Sequence, residues 1–163
     1  PGMLLGGAVC LEDTGVRAER ILPEGAPPAA PFWLVVAFPR IGVSTASVYA
    51  VCGSHLTGPP GTMHSMRLFV RSGDVRGASR WLFNGLQKTV FELYPETERF
   101  CLALREAGAL SSLLSGSGSA VFGLAEDRRH AERMRERLGP DVWCRVLQTL
   151  PDGVMAAHGP LVP

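Results

Sequence analysis

Between Leu113-Leu114 and Ala120-Val121-Phe122 the chain alternates serine and glycine: Ser115-Gly116-Ser117-Gly118-Ser119. Glycine admits φ > 0 and lets a ligand approach a backbone that carries no Cβ. Successive N–H groups in such a turn form a concavity suited to an anion, and serine hydroxyls add donors. A flexible Gly/Ser linker has the same composition. The apolar residues on both sides favour a structured loop with buried ends. The pattern matches neither G-x-x-x-x-G-K-[ST] nor a strand–G-x-G-x-x-G–helix unit, so alone it is a weak phosphate motif. Tyr49 lies on the short helix expected after Ser44-Thr45. Its structural role would be a half-buried ring with a wet hydroxyl.

Other chemistries find little support. Cys10, Cys52, Cys101 and Cys144 are far apart and form no C-x-x-C pair, which argues for free thiols in a reducing compartment. His55, His64, His130 and His158 show no metal-ligand spacing. A formal net charge of +1 leaves no strong electrostatic footprint for nucleic acid or an anionic membrane. No apolar run reaches the roughly 18 residues of a membrane helix. At 163 residues, 46% hydrophobic and 19% charged, the chain suits a globular core. It opens at Pro1 without a signal-peptide pattern, and the expectation is a piece of something longer.

The elements that must position the loop follow from periodicity. Met3–Leu11 and Val16–Leu22 fit a hairpin, and the proline-rich Pro23–Pro31 fits an exposed connector. Phe32–Phe38 is apolar at every position and bracketed by prolines, as in a strand covered on both faces. Ser44 or Thr45 is expected to cap a short helix through about Val51. Cys52–Arg71, rich in Gly, Pro, Ser and His, is expected to be a loop. Ser72 is expected to cap a helix carrying Val75, Ala78 and Leu82, which Asn84-Gly85 interrupts. Leu86–Tyr94 and a helix begun by Pro95 follow, the latter stopped by Gly108. Strands at Ala109–Leu114 and Ala120–Leu124 flank the Ser/Gly loop. Glu126–Leu138 is an amphipathic helix whose arginines alternate with acids, as on a solvated face. Val142–Leu147 is the last strand. The order predicts an α+β fold, a ferredoxin-like sandwich of a small, mainly antiparallel sheet with helices on one face.

Taken together, "PGMLLGGA" at Pro1–Ala8, "VVAFPRIGVSTASVY" beginning at Val35, "NGLQKTVFELYP" at Asn84–Pro95 and "GALSSLLSGSGSAVFGL" at Gly108–Leu124 resemble the C-terminal half of GHMP-family small-molecule kinases. The resemblance implies transfer of the ATP γ-phosphoryl group, with Mg2+, to a hydroxyl of a cytidine-diphosphate-linked methylerythritol. That reaction belongs to cytoplasmic synthesis of isoprenoid precursors. It implies that Ser115, Gly116, Ser117, Gly118 and Ser119 support the nucleotide-phosphate loop. It also places Tyr49 beside the cytosine base, with Thr45 on the same turn.

The departures are specific. The family's main ATP-phosphate loop and N-terminal lysine have no counterpart, and its catalytic aspartate falls ahead of Pro1. No catalytic residue is therefore assigned within the chain, whose further partner would be its own missing N-terminal domain. Gly85 replaces the acidic residue usual after Asn84. The expected division is 1–30 as hairpin and connector from the end of the N-terminal kinase domain, 31–150 as the C-terminal domain and 151–163 as a mobile tail. Two other readings remain open: another GHMP sugar or amino-alcohol kinase, and a non-catalytic ferredoxin-like regulatory module.

Overall fold

A computed structural model describes residues 8–12, 17–22, 30–53 and 58–150. The Pro1–Gly7 segment, most of the connector and the expected mobile tail lie outside the described residues. Strands β1 (Val9–Glu12) and β2 (Arg17–Arg20) pair antiparallel, with Val9 opposite Arg20, as the hairpin reading anticipated.

Strand β3 (Trp33–Ala37) lies inside a second sheet, between β5 (Val121–Ala125) and β6 (Cys144–Gln148); β4 (Ser111–Leu114) pairs with the far edge of β5. The order β4-β5-β3-β6 is antiparallel throughout, with Val35 opposite both Gly123 and Val146. Period-two alternation then sorts the side chains. Val35, Ala37, Leu114, Val121, Ala125 and Cys144 share one face and are buried in the core. Val36, Leu113, Phe122 and Leu147 point to the other face and retain exposure.

The core face is covered by α4 (Gln87–Leu93), α5 (Pro95–Glu106) and α6 (Arg128–Leu138), which contribute Val90, Cys101, Leu104, Ala131 and Met134. Pro95 opens α5 where its missing N–H costs nothing, with Glu96 and Glu98 in the first turn. Gly108, at φ +107, turns the chain away after α5. The carbonyls of Ala107 and Gly108 meet Arg137 Nη1 at 3.1 Å and His130 Nε2 at 3.0 Å. The end of α5 is thus tied to α6. Asp127 caps α6 by accepting from His130 N at 2.7 Å.

Two local expectations are corrected. The Cys52–Arg71 stretch is not a loop throughout: Thr62–Ser72 forms helix α2. Met63, Met66 and Val70 sit at i, i+3 and i+7, a helical signal hidden among Gly, Pro and His. Gly73 ends it at φ +69, donating to Phe69 O and Val70 O. The helix is held by tertiary contacts: Cys10 Sγ lies 3.4 Å from Met63 Sδ, and Arg67 pairs with Glu19 at 2.5 Å. The following helix α3 (Val75–Ser79) is capped by Asp74, whose Oδ1 accepts from Gly77 N at 2.8 Å, and not by Ser72. It ends before Leu82, and Arg76 pairs with Glu126 at the end of β5.

Candidate functional site

The Ser/Gly stretch closes the β4–β5 hairpin as a tight loop, Ser115 N donating to Ala120 O (2.9 Å) and Gly118 N to Ser115 O (3.0 Å). Two glycines adopt left-handed φ, Gly116 at +59 and Gly118 at +87. Their surroundings differ. A Cβ at Gly116 would meet nothing within 4 Å, whereas one at Gly118 would lie 3.1 Å from Leu114 Cδ1 and 3.4 Å from Val90 Cγ1. Gly118 is therefore packed onto the core, and Gly116 faces the open side. Ser119 is buried, and its hydroxyl donates to Ile41 O at 2.7 Å, fastening the loop to the segment after β3.

That segment leads into α1 (Thr45–Val51), capped by Ser44, whose Oγ accepts from Ser47 N at 3.2 Å. Val48 is fully buried and anchors the helix, while Tyr49 on the outer side keeps 56% of its surface. The first residue of α1 touches the loop directly: Thr45 Oγ1 and Ser117 Oγ are 2.8 Å apart. Thr45, Tyr49, Ser115, Gly116 and Ser117 line one open cavity of about 530 Å³. Gly118, packed against Leu114 and Val90, and the buried Ser119 form the loop's root. All the residues singled out in the sequence thus converge on one place, from segments about 70 residues apart.

Several residues of this site carried no sequence-level assignment. Phe83, Leu113 and Phe122 supply its apolar wall. Asn84, read as part of a helix break, reaches into the loop: its Nδ2 donates to Leu114 O at 2.9 Å and to Gly116 O at 2.8 Å. Gln87 Oε1 accepts from Leu114 N at 3.0 Å. The signal for Asn84 and Gln87 was their position inside the "NGLQ" segment, and Leu113 and Phe122 had appeared only as the apolar flanks of the loop.

The cavity pairs aromatic and apolar surface with hydroxyls and backbone donors, a lining suited to a planar ring carrying polar or anionic substituents. Among the described residues, its lining holds no carboxylate, lysine, arginine or histidine. No lining group is fit to take a proton from an alcohol, and none is a natural Mg2+ ligand. Among the described residues, no group of three or more His, Cys, Asp or Glu could hold a metal ion.

Residues 65–143 match the family described as GHMP kinases C terminal. The chain carries a GHMP kinase C-terminal domain. Its curated relatives include the 4-diphosphocytidyl-2-C-methyl-D-erythritol kinases of Pelotomaculum thermopropionicum and Symbiobacterium thermophilum. The first is 34% identical over 84% of this chain and 46% of its own length; the second is 35% identical over 81% and 47%. The chain thus spans about half the length of these relatives. A crystal structure of 4-(cytidine 5'-diphospho)-2C-methyl-D-erythritol kinase superposes with a TM-score of 0.64 at 29% identity, covering 84% of this chain and 48% of that one. A homoserine kinase from Cytophaga hutchinsonii superposes at 0.67 with 16% identity, covering 91% and 49%, a likeness of fold alone. In this GHMP domain the Ser/Gly loop joins the two strands β4 and β5, and the β3–α1 segment supplies the facing wall.

Proposed function

We propose that this chain forms the acceptor-binding wall and the glycine loop of an ATP-dependent small-molecule kinase. Its acceptor is the 2-hydroxyl of 4-diphosphocytidyl-2-C-methyl-D-erythritol, and its place is the cytoplasmic synthesis of isoprenoid precursors. The observation that carries the reading is the meeting of Tyr49 and Thr45 with the Ser/Gly loop across a single open cavity. A half-exposed ring on a rigid helix is a stacking platform for a pyrimidine. A loop with outward N–H groups stands where the phosphates attached to that pyrimidine would lie.

ATP enters this reaction as a substrate and Mg2+ as the usual counter-charge of transferred phosphates. Among the described residues the cavity offers no ligand set for a metal, so no step here runs through it. Thr45 and Ser117 would orient the acceptor's polar groups, and the apolar wall of Leu113 and Phe122 would exclude water from one side. The proton acceptor and the main phosphate cradle belong to the other half of such an enzyme. The relatives' names support the cytidyl acceptor. The free thiols at Cys10, Cys52, Cys101 and Cys144 support a reducing compartment.

Titration of the chain with the cytidyl substrate and with homoserine, followed by backbone amide shifts, tests the assignment. Saturable shifts at Tyr49 and Ser115–Ser117 with the cytidyl compound alone are expected. Shifts there with homoserine alone, or with neither, would overturn it.

A further inference from the structure

We propose that Asn84 is a positioning residue of the Ser/Gly loop, holding it in the form that turns its N–H groups outward and its carbonyls inward. One carboxamide makes three hydrogen bonds. Its oxygen accepts from Leu86 N at 2.9 Å, at the start of α4, and its NH2 group spends both hydrogens on Leu114 O and Gly116 O. These two carbonyls flank Ser115, whose own carbonyl is taken by Gly118 N. Three successive acceptors of the loop are therefore satisfied on the protein side. Among the described residues, the N–H groups of Gly116 and Ser117 meet no acceptor. At Leu114–Ser117 the loop thus has three carbonyls already engaged and two N–H groups left over, the polarity that an anionic substituent requires. Gln87 completes the hold by accepting from Leu114 N. Because Asn84 and Gln87 belong to α4 and its lead-in, the loop is referenced to the packed core through Val90, which is fully buried on the same helix.

The chemistry of the side chain allows the helix-start role to be separated from the loop role. Asn84→Asp retains the oxygen that receives Leu86 N–H and replaces the two donors with an oxygen facing two carbonyls, which must then turn away. Lys88→Gln, on the exposed side of the same helix and away from the loop, serves as the comparison.

The inference rests on the reading of this cavity as a cytidyl-diphosphate site, and the experiment separates the two. In the 163-residue chain, amide exchange at Gly118 is compared with that at Val35 in the central strand, and CDP and cytidine are titrated as probes. Asn84→Asp is expected to speed exchange at Gly118 by about tenfold or more with Val35 unchanged. It should also weaken CDP by about tenfold while leaving cytidine unaffected; Lys88→Gln should behave as the parent does. If the parent binds neither probe, the kinase assignment fails, and exchange alone still decides the role of Asn84. Parental protection of Gly118 in Asn84→Asp, equal acceleration at Val35, or equal losses for cytidine and CDP would overturn the proposal.

Discussion

Tyr49 and the two loop glycines are neighbours in space, yet they should respond to substitution in different ways. The tyrosine ring is half exposed on a helix whose buried contact is Val48. Its removal should cost little stability and much binding. Tyr49→Ala is expected to weaken cytidine binding by about 5- to 150-fold, the equivalent of roughly 1–3 kcal/mol for base stacking. Tyr49→Phe should retain most of the affinity, and titrations with cytidine and with ATP read the difference. Equal losses for both ligands would leave Tyr49 a packing residue. Gly116→Val strains a left-handed backbone in open space, at about 1–2 kcal/mol. Gly118→Val adds contact with Leu114 and Val90, worth a further cost of about 1–3 kcal/mol. Denaturant unfolding should rank Gly118→Val below Gly116→Val. The reverse order would mean that the loop's root can yield.

At the scale of elements, the sheet and its helices meet most closely at Gly123. A Cβ there would lie 2.9 Å from Ala109 Cβ, 3.1 Å from Met134 Cε and 3.3 Å from Leu104 Cδ2. Gly123→Val should therefore push α5 and α6 from the sheet and destabilise by about 1–3 kcal/mol or more. A melting temperature equal to the parent's would show that the layers have slack. Cys101 on α5 lies under the same layer, and burial pushes its thiol from 9.0 up to about 11. The folded state favours the neutral thiol, so this contribution is intact below pH 9 and is lost as pH rises from about 9 to 11. The melting temperature should fall across that window, and less steeply in Cys101→Ala. Identical slopes would show that the thiol is not linked to folding.

For the whole molecule, the cavity has a wall, a floor and hydrogen-bond donors, but among the described residues no charged or basic side chain in its lining. Phosphoryl transfer is positioning together with neutralisation of the phosphate charge, and it needs an acceptor for the hydroxyl proton. The 163-residue chain is accordingly expected to bind the cytidyl compound without phosphorylating it. Turnover from ATP above a no-enzyme control would place the reacting groups elsewhere on this chain.

The sequence by itself determined the elements whose causes are local. The apolar run Trp33–Ala37 announced a central strand, and both its edges are paired, although only the face carrying Val35 and Ala37 is fully buried and the other keeps some exposure. Pro95 and Gly108 marked the two ends of α5 through backbone geometry alone. The alternating glycines announced the loop, because positive φ at Gly116 and Gly118 is a property of the residue type. Resemblance, and not periodicity, singled out Thr45 and Tyr49. Tertiary structure decided what these segments meet. Helix α2 forms where composition suggested a loop, because Met63 and Arg67 find partners on the β1–β2 hairpin, contacts that no local window contains. Asn84 looks like a helix break in sequence. It becomes the clamp of a loop 30 residues away only when folding brings Leu114 and Gly116 within reach of its carboxamide. A hydrogen bond is specific in space and silent in sequence, whereas a backbone preference is written at the residue that has it.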